Sequence, residues 1–228
     1  MNITANRLTA AAGLCAAAAG AIFVGVQINH PPADVAHIVT TETAIRESAK
    51  ILMCVLALVG FTGMFLRHRS RFGVLGLAGF TLLTVGYLAL FAVECIVACV
   101  LPTVAHFNPA YVQDVLDAAV GGSPRGDIGG MQMLFLASGI GYPLGGLLFG
   151  IALFRAGVRA RWAAALLAYG TTSALALAAL PESFNRPFAV PTGVALIGLG
   201  VSLWRDQRRQ SETVDAPATA WVAEPVTR

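Results

Sequence analysis

The sequence predicts an all-α fold: a polytopic membrane bundle of six transmembrane helices, both termini cytoplasmic, with a short amphipathic helix in the second outer loop. Three observations predict it. Of 228 residues, 57% are hydrophobic and only 12% are charged, about half the charge of an average soluble domain. Six apolar spans hold one of the 27 charged residues between them. The bases outside those spans crowd into alternate turns. With a mean hydropathy of +0.72, this composition excludes a soluble enzyme, a disordered chain and a nucleic-acid-binding module.

The spans are Leu8–Ile28, Ile51–Leu66, Phe72–Leu101, Met131–Phe154, Trp162–Leu180 and Pro187–Trp204. A hydrocarbon core about 30 Å thick needs roughly 20 residues of helix, and lipid leaves free backbone groups no partner, so each span must be helical. The first opens with Arg7 and an alanine-rich centre, as a signal peptide would. Its apolar run continues through Ile22, Phe23, Val24 and Val26, so it reads as a retained helix. Asn29-His30-Pro31-Pro32 then ends it, because proline cannot continue a helix and restricts its predecessor. The second span is short and extends back through the helix-forming residues 41–50.

In the second outer loop, Asn108-Pro109 reads as an N-cap with proline at the first helical position. Ala110–Val120 follows as a helix bearing Asp114 and Asp117, a partial lid or a spacer, and 121–127 reads as a mobile linker. The fourth span carries Gly141, Gly145, Gly146 and Gly150, two G-x-x-x-G spacings for close helix approach. Pro143 should kink it near Tyr142. Residues 1–204 form a single six-helix domain, and 205–228 a disordered cytoplasmic tail. A three-plus-three inverted repeat would suit a secondary transporter, but only ordinary Phe–Arg and Arg–Trp interface anchors recur.

Orientation follows from the bases. With the termini inside, the inner segments carry Arg7, Arg67, Arg69, Arg71, Arg155, Arg159, Arg161, Arg205, Arg208, Arg209 and Arg228, against Arg46, Lys50, Arg125 and Arg186 outside. The net charge of +3 is thus a topology signal that requires no nucleic acid.

Glu94 is the charged residue inside a span. It lies about 10 Å from the outer end of its helix, where an ionised side chain costs at least ~2.5 kcal/mol without a partner. Phe80, Thr84, Tyr87 and Phe91 share its helical face, so an aromatic stripe runs into an acid. Gln27, Asn29, His30, Arg46, Glu47, Lys50, Gln132, Glu182, Asn185 and Arg186 stand near the same level. They would form either a polar pocket mouth or merely solvated helix ends. Cys15, Cys54, Cys95 and Cys99 lie within spans as small apolar residues. No metal or cofactor motif is present.

Glu94 is therefore the candidate catalytic residue, with Phe80, Thr84, Tyr87, Phe91, Gln132 and Tyr142 as candidate substrate-binding residues. A neutral carboxylic acid can donate a proton, and aromatic faces stabilise a developing cation. In size and in its isolated membrane acid, the chain loosely resembles, in architecture, small integral-membrane terpene cyclases. That resemblance implies proton-initiated cyclisation of a hydrophobic isoprenoid-type substrate, with Glu94 as acid and no cofactor. Gln27-Ile28-Asn29-His30-Pro31-Pro32, Gly145-Gly146-Leu147-Leu148-Phe149-Gly150 and Arg155-Ala156-Gly157-Val158 resemble uncharacterised actinobacterial six-helix integral membrane proteins, which imply the fold and no activity. The alternatives are a small-solute or proton-coupled transporter, or a subunit of one, and a non-catalytic membrane partner or regulator.

Overall fold

The computed structural model describes residues 4–176 and 185–215. Among these every regular element is α-helix: α1 (Ala5–Gly25), α2 (Val35–Ile38), α3 (Thr41–Cys99), α4 (Leu101–Val104), α5 (Pro109–Ala119), α6 (Met131–Arg155), α7 (Arg161–Ala176) and α8 (Asn185–Asp215). Three of them, α1, α3 and α6, are long and apolar enough to cross a membrane.

α3 is a hairpin of two helical arms, 41–72 and 74–99, turning at Gly73. The side chains prove the reversal. Phe61 and Tyr87 would stand about 39 Å apart along a straight helix, yet their ring centroids are 5.1 Å apart, and Phe65 stacks on Phe80 at 4.4 Å. Gly73 has φ +56° and ψ −158°, a backbone region essentially reserved for glycine. The two apolar runs on either side of 67–71 are therefore separate rods, as the sequence predicts.

The rods meet through small residues. α1 packs on α8 where Gly13 faces Gly200 and Gly20 faces Gly193, and on the first arm of α3 where Ala12 and Ala16 meet Gly63 and Gly60. The second arm meets α6 backbone to backbone, Gly86 against Gly141 and Tyr142, and Gly79 against Leu148 and Phe149. α6 passes to α7 at Gly146 and Gly150, which sit on Thr171 and Ala168. Gly141, Gly145, Gly146 and Gly150 of α6 thus serve close packing, and α6 runs on as one helix through Pro143.

Two ends can be told apart. At one, Arg71 donates to the Ala156 carbonyl at 3.2 Å and Arg159 pairs with Asp206 at 3.1 Å, so the arginine-rich turns converge there. At the other lie α2, α4 and α5. α5 begins as its sequence predicts, with Asn108 accepting from the Tyr111 amide at 3.1 Å and Pro109 at its start.

Two expectations change. The 121–127 segment is tied back to α5, because Asp114 accepts the Arg125 and Gly126 amides, each at 3.0 Å. α8 does not stop at Trp204 but continues through Asp215. Its polar extension is rich in helix-forming Arg and Gln, it buries Gln207, and Arg208 lies over the Trp204 ring at 5.4 Å. The rest of the expected tail, like Glu182, lies outside the described residues.

Candidate functional site

Glu94 is buried on the second arm of α3, and its partner comes from the first. Lys50 Nζ stands 3.6 Å from Glu94 Oε2, and 2.8 and 2.9 Å from the two carboxylate oxygens of Glu47. Lys50 and Glu94 are 44 positions apart in the chain. The hairpin at Gly73 is what joins them. Glu47 is only 3% exposed and Glu94 8%, and both carboxyl groups meet the one Lys50 ammonium.

Local sequence explains the placement. Thr40 caps the start of α3 by accepting the Thr43 amide at 3.3 Å. From there Thr43, Glu47, Lys50 and Cys54 recur every three or four residues and run into Ala57, Phe61 and Met64. One inward face therefore turns from apolar to charged along a single helix. Beside it, Arg46 donates to the carbonyls of Val26, Ile28 and Asn29 at 2.8 to 3.3 Å and pairs with Glu42 at 2.9 Å. It thereby satisfies carbonyls at the end of α1 that would otherwise lack partners.

The cluster opens into a cavity of about 230 Å³, room for about eight waters at roughly 30 Å³ each. His30, Pro31 and Asp34 form one wall, Leu116 and Val120 at the end of α5 another, and Phe135 and Ser138 of α6 a third. The end of α5 accordingly borders the chamber. Asp34 accepts the His37 amide at 2.9 Å and meets the His37 ring at 2.7 Å. The hydrogen bonds from His37 hold its carboxyl below the usual aspartate value.

Of the sequence-predicted site residues, Glu94 lines this chamber and the others do not. Phe80 stacks on Phe65. Tyr87 meets Phe61 edge-on and lies 5.8 Å from Tyr142. Phe91 packs against the same core. Tyr142 donates to the Thr192 hydroxyl at 3.0 Å, and Gln132 is exposed. The stripe is thus an aromatic core, in which the Thr84 and Tyr87 hydroxyls are buried without a hydrogen-bond partner among the described residues. Glu47, Lys50 and His30, which the sequence offered as either pocket or loop ends, belong to the chamber. The signal for Glu47 and Lys50 was the inward face of α3 extrapolated back past Cys54; His30, in the loop after α1, had none.

No family model, curated protein or solved structure matches this chain.

Proposed function

We propose that the chain is a multi-pass cell-membrane protein, with six transmembrane helices and both termini cytoplasmic, in which the outer chamber is a cation–proton exchange site. It would serve a small-solute carrier or the membrane subunit of one. The observation that carries this reading is the pair of buried carboxyl groups, Glu47 and Glu94, sharing one ammonium from Lys50. With His30 neutral, two ionised carboxylates and one ammonium leave a charge of −1, which is costly in a low-dielectric interior. One proton restores neutrality and lets the carboxyls hydrogen-bond to each other, since an ionised pair has no donor. A small monovalent cation entering beside them restores neutrality equally well. Proton and cation therefore compete for one vacancy of charge, which is the elementary requirement for exchange.

The topology reading is supported by the eleven-to-four bias of basic residues, whose inner turns meet at the bundle end opposite the chamber. Intramembrane acid–base clusters commonly mark ion and proton pathways. Acid-initiated cyclisation of an isoprenoid would keep Glu94 as proton donor, but it needs aromatic faces around the nascent cation. Phe80, Tyr87 and Tyr142 are engaged in the core instead, and the chamber is smaller than the roughly 300–1,000 Å³ of ordinary ligand pockets. The exchange reading therefore stands first.

The test is reconstitution of the full chain into liposomes with an acidic lumen containing a pH-sensitive dye. External Na⁺, guanidinium or tetramethylammonium is then added. Exchange appears as lumenal alkalinisation by at least one of the three, faster than in empty liposomes and abolished in Glu94→Gln and in Glu47→Gln. Traces identical to empty liposomes for all three cations would overturn the proposal.

A further inference from the structure

At the arginine-rich end, a groove of about 470 Å³ runs between the start of α7 and α8. Its α8 wall is a single helical face, since positions 194, 197, 201, 205 and 209 recur at three- and four-residue steps. Along that face the chemistry changes once. Val194, Ile197 and Val201 are followed by Arg205 and Arg209, and Arg159 stands across the groove. Asp206 also lines it and pairs with Arg159 at 3.1 Å, so among the described residues the lining holds three guanidinium groups and one carboxylate. Trp162 is 58% exposed and its indole approaches Gly198, where a Cβ would meet the ring at 2.6 Å. Neighbouring Arg161 is engaged elsewhere, over the Phe154 ring at 4.9 Å and on the Phe154 carbonyl at 3.3 Å.

We propose that this groove is a binding site for an anionic phospholipid. The phosphodiester sits among Arg159, Arg205 and Arg209, and one acyl chain lies along Ile197 and Val194. The two halves of the groove match the two halves of that ligand in order and in length. From Arg205 to Val194 is about 16 Å of helix, close to the roughly 15 Å of hydrocarbon in one leaflet. Arginine forks engage phosphate oxygens in pairs, and tryptophan settles at the headgroup level. A free phosphate would use the arginines and leave the apolar half unfilled. The inference rests on the membrane-spanning reading and is independent of the exchange chemistry.

The experiment titrates phosphatidylglycerol, phosphatidylcholine or inorganic phosphate into the purified full chain in neutral micelles. Thermal unfolding and native mass spectrometry report binding. Phosphatidylglycerol should raise the unfolding midpoint and remain bound in the spectrum, while the other two should do neither. Arg205→Gln/Arg209→Gln should weaken the effect about 25-fold, at roughly fivefold per arginine. The charge-matched Arg69→Gln/Arg155→Gln, at the same end of the bundle, should leave it intact. If the double variant does not fold, Arg205→Gln alone should weaken it about fivefold. The proposal is overturned if phosphatidylcholine or phosphate acts equally well, or if loss of Arg205 changes nothing. Failure of the membrane reading would show separately, as a chain that partitions into water without detergent.

Discussion

Lys50→Met removes the ammonium from between two buried carboxyl groups while keeping the length of the side chain. At an effective dielectric constant near 20, charges at the observed 2.8 and 3.6 Å attract by about 4–6 kcal/mol each before desolvation is counted. Desolvation of the ions takes back several kcal/mol, and removal of one member of a buried pair typically costs about 3–5 kcal/mol. That is the expected loss here, measured by chemical unfolding of the purified chain in mild-detergent micelles. Glu47→Gln/Lys50→Met/Glu94→Gln removes every charge of the cluster together. It should recover most of the loss, because the penalty comes from stranded carboxylates more than from a missing attraction. A Lys50→Met protein within about 0.5 kcal/mol of the parent, or a triple variant as unstable as the single one, would refute the reasoning.

Two further outcomes follow from named contacts. Gly86→Ala drives a Cβ into the backbone of Gly141 and Tyr142, and overpacking at this helix crossing should cost about 1–3 kcal/mol in the same assay. Asp34 has a folded-state carboxyl value below its ordinary 3.8, so its contribution is complete above that value and is lost as pH falls through the folded one. The protection factor of the His37 amide, its exchange rate taken against the intrinsic rate at the same pH, should therefore fall only on strong acidification. In Asp34→Ala it should be low at every pH, and equal protection in the two proteins would rule the carboxylate out as the cap.

The rods were legible because composition and span length act locally: each apolar run is helical over nearly all of its described residues. So was the cap at Asn108, since its chemistry involves only its own neighbours. The site was legible in part. Glu94 stood out because charge inside a span is conspicuous, whereas Glu47 and Lys50 looked like the solvated start of a helix. What buries them is the arm returning from Gly73, together with the loop 30–34 and the end of α5, and none of these is visible in a local window. The aromatic stripe was ambiguous for the same reason. Periodicity reveals that Phe80, Tyr87 and Phe91 share a face, but not whether that face meets a cavity or Phe61, Phe65 and Phe149. The glycines of α6 announced close approach, yet their mates Gly79 and Gly86 lie too far apart for the four-residue spacing to mark them.

Gly73 tests how far the site depends on that return. A Cβ at Gly73 would meet nothing within 4 Å, and the same holds at Gly139 within α6. Alanine at either position therefore changes backbone energetics without a clash. At Gly139, inside a helix, alanine should stabilise by about 0.5–1 kcal/mol. At Gly73 the φ of +56° and ψ of −158° lie where a side chain costs about 1–3 kcal/mol, so the sign should reverse. The turn also holds Lys50 against Glu94, so Gly73→Ala should weaken the coupling between them in a double-mutant cycle, whereas Gly139→Ala should leave it unchanged. Equal effects of the two alanines on stability would mean that the reversal at Gly73 is not the strained hinge on which the cluster hangs.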